Sequence, residues 1–136
     1  MKVILDANVF VSAAIQRGPS YRIVDSWFAG TGDFEIVMCP ELLGEIRDVL
    51  TTRPRLRKWI SLQDASLFIG TIEVLVDLVP DPVEVLSVTR DSGDDYLIAL
   101  ARLHCVKMIV SGDKDLLEWS SQSPTVVTPA AFDESH

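Results

Sequence analysis

The chain has 136 residues, of which 48% are hydrophobic and 24% are charged, and this excludes a disordered or fibrous protein. Its length fits one domain with a sizeable core, so we assign residues 1–136 to a single domain and expect a loose tail after about residue 128. With 20 Asp and Glu against 12 Lys and Arg, the net charge of −8 excludes binding of nucleic acid by bulk positive charge. An enzyme whose carboxylates hold metal ions remains open.

Neither a membrane span nor a signal peptide is predicted. No apolar run approaches the roughly 18 residues that a span requires, and Asp6 interrupts the apolar run at the N-terminus. We therefore expect a cytoplasmic protein. Two cysteines, Cys39 and Cys105, are too few for a disulfide scaffold or a zinc cage, and we expect both to pack as small hydrophobic residues.

Strands and helices alternate in the first half of the chain. The segment KVIL at 2–5 predicts a buried strand, and apolar residues at helical spacing follow over 8–16 and 20–28. The segment FEIVMC at 34–39 predicts a second strand. Pro40 then opens a third helix, because proline is tolerated in the first helical turn.

The alternation continues in the second half. A helix is predicted from Ser61 to about Glu73, a third strand over 75–79 and a further helix over 94–105. The remaining predicted elements are a strand at 108–110, a short helix at 114–119 and a strand at 125–128. This pattern predicts an α/β sandwich with a parallel sheet and helices on both of its faces.

Acidic residues fall where such a sheet binds ligands, beyond the carboxyl ends of its strands. They follow the first and fourth strands, open the helix before the fourth strand, and lie in the first two turns of the helix after the second strand. These residues are Asp6, Asp113, the pair Asp94 and Asp95, and Glu45. Clustered carboxylates repel one another unless a cation is bound, and hard oxygen ligands suit Mg²⁺ or Mn²⁺.

Each acid also has a purely structural interpretation. Asp6 and Asp113 are suited to cap helices, and the pair at 94–95 would interact favourably with the dipole at a helix N-terminus. Glu45 suits the solvent-exposed face of a helix. Only the joint placement of these residues at one edge of the sheet predicts a metal site. One or two ions there would serve phosphoryl chemistry by activating water and stabilising a leaving oxygen.

Other polar and aromatic residues are weaker candidates. Asn8 and Ser12 lie one helical turn apart and are expected to face Asp6, although Asn8 equally suits a capping role. Ser111 is placed to hydrogen-bond a carboxylate or simply to end its strand. We interpret the three tryptophans as core or interface residues. The basic segment RPRLRK at 53–58 suits a solvated turn, with contact to RNA or an acidic partner as the alternative.

Four segments carry a family resemblance. In chain order they are LDANVFVS at 5–12, LGEI at 43–46, RDSGDDYLIALA at 90–101 and IVSGDKDLL at 109–117. Together they resemble the motifs of the PIN domain, the nuclease fold of VapC-type toxins from toxin–antitoxin pairs. The likeness spans residues 1 to about 127. One departure is Ala7, which stands where many members carry Thr or Ser.

The resemblance implies a PIN-like three-layer α/β/α sandwich around a parallel five-stranded sheet. It implies an Mg²⁺- or Mn²⁺-dependent endoribonuclease, commonly a homodimer, that is silenced by an antitoxin protein inserting a segment into the active-site groove. The implied catalytic and metal-binding acids are Asp6, Glu45, Asp95 and Asp113. Asp95 is preferred to Asp94 because it stands three residues before Ile98. Supporting side chains are then Asn8, Ser12, Ser111 and Asp94.

Three alternatives remain open. A phosphatase of the haloacid-dehalogenase kind would need a second Asp where this chain has Asn8. A receiver domain would need a phosphorylated Asp at the end of the third strand, where Asp81 is available without an acidic pair after the first strand. The third alternative is a catalytically silent PIN-fold module that holds RNA or an antitoxin without cleaving.

Overall fold

The computed structural model describes residues 1–86, 89, 93–119 and 123–136. The helices and strands follow the expected order except at 75–79 and after residue 128, and a 3₁₀ turn lies between the third and fourth helices. In chain order they are β1 (Lys2–Leu5), α1 (Ala7–Ile15), α2 (Pro19–Ala29), β2 (Glu35–Ile36), α3 (Pro40–Thr52), the 3₁₀ turn (Pro54–Lys58), α4 (Leu62–Leu75), α5 (Asp95–Leu103), β3 (Met108–Val110), α6 (Lys114–Trp119), β4 (Thr125–Val127) and α7 (Pro129–Ser135).

The four strands form one parallel sheet in the order β2-β1-β3-β4. Strand β1 is central, and Val3 pairs with Ile36 on one side while Leu5 pairs with Val110 on the other. Parallel neighbours need long crossover connections, which the helices provide. The predicted α/β fold with a parallel sheet flanked by helices is therefore confirmed.

The third of the five predicted strands, at 75–79, is reduced to a single bridge. Helix α4 continues through Leu75, and Leu78 forms an isolated parallel bridge with Met38. The N–H of Val79 donates to the carbonyl oxygen of Met38 at 2.9 Å. Pro80 follows and has no N–H with which to extend the pairing. The sheet therefore has four strands and one bridge.

The core surrounds the central strand. Val3, Ile4 and Leu5 are fully buried, as expected for a parallel strand covered on both faces. Helices α1 to α4 pack against one another, whereas α5 contacts β3 and α6 contacts β4. This packing fixes the ends of β1 and β3, which carry the candidate site.

The loose tail expected after residue 128 is instead helix α7, so that expectation is wrong. The Thr128 hydroxyl accepts the N–H of Ala131 at 3.1 Å and caps the helix. Phe132 is 2% exposed and meets the ring of Phe34 at a centroid distance of 5.2 Å. Packing on α2 thus holds a segment whose seven residues are too short to be stable alone.

The two cysteines differ in environment. Cys39 is buried as expected, and burial beside Asp81 raises the pKa of its thiol to about 12. Cys105 is exposed, contrary to expectation, because it follows the end of α5 with a left-handed backbone (φ 57°). The next residue, Val106, donates its N–H to the carbonyl of Ala101 at 2.8 Å, which closes a Schellman-type cap.

No helix among the described residues is both long and apolar enough to cross a membrane.

Candidate metal centre

Asp6 occupies the junction between the central strand and the first helix. Its N–H still pairs with the carbonyl of Val110 at 3.0 Å, and its Oδ1 accepts the N–H of Asn8 at 3.1 Å as the N-cap of α1. The side chain is only 5% exposed. The same residue therefore ends β1, begins α1 and aims a carboxylate along the carboxyl edge of the sheet.

Ser111 joins Asp6 to the end of the neighbouring strand. Its fully buried hydroxyl donates to Asp6 Oδ2 at 2.6 Å and accepts the N–H of Asp113 at 2.9 Å. Asp113 in turn accepts the N–H of Asp115 at 2.8 Å, at the start of α6. The sequence interpretation of Ser111 as a partner of a carboxylate agrees with this geometry.

A third carboxylate completes the group. One oxygen each from Asp6, Asp94 and Asp113 lie within 4.8 Å of one another. Burial raises the pKa of Asp6, and the charge of Asp113 raises it further, while the hydrogen bonds from Ser111 and the Asn8 N–H act in the opposite direction. Oxygen donors from three separate segments fit a hard divalent cation such as Mg²⁺ or Mn²⁺.

Asp95 is oriented differently from its neighbour. Its Oδ1 accepts both the N–H of Thr89, at 2.9 Å, and the Thr89 hydroxyl, at 2.7 Å. Asp94 is the N-cap residue directly before α5, and its carboxylate is the one of the pair that lies close to Asp6 and Asp113. Within the described residues, the acidic group contains Asp94, which sequence analysis treated as a supporting residue, and not Asp95.

Glu45 lies outside that group of three, on the exposed face of α3. Burial raises the pKa of Tyr96, and the nearby Glu45 carboxylate raises it further. The two side chains thus link α3 to α5 beside Asp95. Tyr96 was not singled out from the sequence, because a buried tyrosine in an apolar helix gives no separate functional signal.

The chain is similar to known proteins over most of its length. A model of the PIN domain matches residues 2–115. The chain belongs to the PIN-domain family. It is also similar to an uncharacterized protein of Methanocaldococcus jannaschii, with 33% identity over 120 residues, which cover 86% of this chain and 74% of that protein. PIN domains are generally nucleases that act on RNA and typically use a divalent metal ion.

The remaining predicted residues of this PIN domain lie along α1. Asn8 reaches Asp6 through its backbone N–H, and its side chain is exposed. The Ser12 hydroxyl accepts a hydrogen bond from Gln16 Nε2 at 2.9 Å. This bond points toward the C-terminal end of α1, whereas Ser12 was expected to face Asp6. The beginning of the third motif, at 90–92, lies outside the described residues.

Proposed function

We propose that this PIN domain is an Mg²⁺- or Mn²⁺-dependent endoribonuclease. The observation that carries the proposal is the convergence of Asp6, Asp94 and Asp113 at the carboxyl ends of β1 and β3. Three carboxylates within 4.8 Å repel one another in the absence of a cation. The group is therefore arranged for a positively charged ligand, and this supports metal-dependent phosphodiester hydrolysis.

The clustered acids and Ser111 would have different roles in binding the ion. Asp6, Asp94 and Asp113 would hold the ion. Ser111 fixes the position of Asp6 relative to Asp113 through its two hydrogen bonds. A bound divalent ion would acidify a water ligand and neutralise charge on the phosphate oxygens. Ser111 is fully buried and engaged on both sides, so it is unsuited to act as a nucleophile.

We also propose roles for Glu45 and Asp95, the two other acids that the sequence predicts for the site. Glu45 would assist from α3, through a second ion or a water molecule. Asp95 would act chiefly as a positioning residue, because its bonds to Thr89 fix the start of α5 and thereby aim Asp94. We accordingly propose that Asp94 takes the ligand place that sequence reasoning gave to Asp95.

The test is cleavage of a panel of RNAs with Mg²⁺, with Mn²⁺ and with EDTA, using wild type, Asp6→Asn and Asp25→Asn. Asp25 is an exposed acid on α2 and provides a matched control for the loss of one charge. We expect cleavage by wild type and Asp25→Asn with either metal, and none in EDTA or by Asp6→Asn. Cleavage that persists in EDTA contradicts the proposal. Metal binding by calorimetry without turnover on any RNA would favour the silent binding module.

We further propose that the enzyme is the toxin of a toxin–antitoxin pair and acts as a homodimer. A cleft of about 540 Å³ opens beside Asp95 and continues past Ile98 and Leu103. Its largely apolar lining supports docking of an apolar antitoxin segment along α5, which begins directly after Asp94. A small open reading frame just upstream, encoding a protein that co-purifies and stops cleavage, is expected. Light scattering on the purified chain tests the dimer.

A further inference from the structure

The 3₁₀ turn and the residue after it form a basic and aromatic projection. Leu56 is 5% exposed and anchors the turn in the core, and the N–H of Trp59 donates to the Leu56 carbonyl at 3.0 Å. Trp59 itself is 58% exposed, so it lies outside the core, and of the two expected places for the tryptophans only a contact surface is left for it. An indole with so much apolar area in water is a candidate contact for a ligand.

Trp59 borders a cleft at the far end of α1. The cleft has a volume of about 420 Å³ and lies between the end of α1, Arg17, Tyr21 and Trp59. The Arg17 guanidinium lies 4.1 Å from the centroid of the Tyr21 ring. Lys58 Nζ lies 5.7 Å from the centroid of the Trp59 ring. Cations and aromatic rings are therefore interleaved at one place.

This part of the surface concentrates positive charge in an acidic protein. The segment at 53–58 holds four of the twelve Lys and Arg residues of a chain with a net charge of −8. Within the described ranges, none of the ion pairs uses Arg17, Arg53, Arg55 or Lys58. These cations are thus available for an anionic ligand, and the adjacent rings indicate that the ligand also carries flat apolar groups.

Helix α1 connects this cleft to the metal centre. Asp6 caps its first turn, and Gln16, directly after its last residue, lines the cleft. Asn8, Ser12 and Gln16 follow at intervals of four residues and share one face. At 1.5 Å per residue, that row is about 12 Å long. Amide and hydroxyl side chains are common partners of phosphate and sugar oxygens.

We propose that the cleft is a binding subsite for single-stranded RNA. Trp59 would stack on a base, Arg17 and Lys58 would contact backbone phosphates, and the strand would follow the polar face of α1 toward Asp6. Stacking combined with cations is the usual means of binding single strands without sequence preference. The carboxylates of an acidic peptide would pair with the cations but would not stack on the exposed indole, whereas RNA offers both phosphates and bases. The assignment rests on the proposed ribonuclease function for the direction of the strand.

The test measures binding separately from cleavage. A fluorescein-labelled oligouridylate of about 12 nucleotides, within the usual range of single-strand sites, is titrated with protein in EDTA and followed by anisotropy. Trp59→Ala is expected to weaken binding roughly 5- to 100-fold, the scale of one lost base stack. Trp59→Phe should retain most of the affinity. Lys58→Ala should reduce the slope of log affinity against log salt by about one.

Two matched controls are available. Leu67→Ala removes an exposed apolar side chain on α4, and Lys107→Ala removes an exposed cation before β3. Neither is expected to change the affinity for the oligonucleotide. Circular dichroism and thermal unfolding verify that each variant folds. RNA should quench tryptophan fluorescence in wild type and quench it less in Trp59→Phe, because the remaining indoles, Trp27 and Trp119, lie elsewhere and are half-buried.

The outcomes separate the two proposals. Unchanged affinity in Trp59→Ala, an equal loss in Leu67→Ala, or preferential binding of oligoglutamate over RNA each overturns the subsite. If the protein cleaves no RNA but binds the oligonucleotide through Trp59, the ribonuclease proposal fails and the subsite stands. If it cleaves RNA while Trp59→Ala binds like wild type, the subsite alone fails.

Discussion

The Ser111 hydroxyl donates a 2.6 Å hydrogen bond to the Asp6 carboxylate, although the two residues are 105 positions apart in the chain. The bond joins the end of β3 to the start of α1. The same hydroxyl accepts the N–H of Asp113. One small buried side chain thus sets the separation of two of the three clustered acids, which makes it the most direct place to test the centre.

Ser111→Ala should weaken both the fold and metal binding. The substitution leaves a buried carboxylate oxygen and the Asp113 N–H without this partner, and such losses cost about 1–3 kcal/mol. Removal of an orienting hydrogen bond typically lowers metal affinity about 10- to 100-fold. Urea denaturation and calorimetric titration with Mn²⁺ measure the two effects. Ser66→Ala, on the exposed face of α4, is the control, and equal metal affinity in both variants would contradict the assigned role.

Asp6→Asn should stabilise the metal-free protein at neutral pH. Burial raises the pKa of Asp6 above its ordinary value of 3.8, so the folded state keeps this proton at pH values where the unfolded chain has lost it. Retention of this proton stabilises the folded state fully at pH values below 3.8. The stabilisation is lost as the pH rises through the raised pKa of the folded state. At pH 7 the neutral amide avoids this loss, and we expect a gain of about 1 kcal/mol.

The pH and metal dependence check that explanation. The difference in melting temperature between wild type and Asp6→Asn should shrink as the pH falls toward 4, because wild-type Asp6 is then increasingly protonated. Saturating Mg²⁺ should stabilise wild type but not the variant, which reverses their order. A stability difference that is the same at every pH, with and without Mg²⁺, would rule out the charge of Asp6 as its cause.

Asp94→Asn should affect mainly metal binding, and Asp95→Asn should affect mainly folding stability. Asp94→Asn removes a charge from the acidic group, so metal affinity is expected to fall at least tenfold while the metal-free protein is not destabilised. Asp95→Asn weakens the two hydrogen bonds from Thr89 and should cost about 1 kcal/mol or more of folding free energy. Calorimetry and urea denaturation on both variants distinguish them. The reverse result would restore Asp95 as the ligand.

The sequence was sufficient for the alternation of elements and for the edge where acids gather, because both follow from periodicity and from the chirality of parallel connections. It was insufficient to tell which of Asp94 and Asp95 lies close to Asp6 and Asp113. That choice depends on where α5 begins, and helix boundaries are the least certain part of such predictions. The sequence also did not predict that Trp59 is exposed, because its exposure depends on Leu56 being the residue that anchors the turn in the core.

Cys105→Gly should stabilise the protein by about 1 kcal/mol. Cys105 has a φ of 57° at the end of α5, where a residue with a Cβ is strained and glycine is not. Cys105→Ser keeps the Cβ and should leave stability near that of wild type. Chemical denaturation of the three proteins gives the comparison. A gain in Cys105→Ser equal to that in Cys105→Gly would show that loss of the thiol, and not relief of strain, is responsible.

Phe132→Ala should destabilise the fold by about 3 kcal/mol, the usual range for a buried phenylalanine. Its ring is 2% exposed and packs on Phe34 and on the ring of His136. Glu134→Ala, exposed in the same helix, should have little effect. Thermal unfolding monitors both variants. If Phe132→Ala melts like wild type, α7 contributes nothing to the stability of the core.

The order β2-β1-β3-β4 has a consequence for how the protein is made. The central strand and Asp6 are synthesised first, yet Asp6 receives its Ser111 partner only after 105 further residues. At about 5–20 residues per second, that interval is roughly 5–20 s on the ribosome. A nascent chain therefore carries its first motif long before a metal centre is able to form. Ribosome-bound chains stopped before β3 are accordingly expected to be inert toward the RNA that surrounds them.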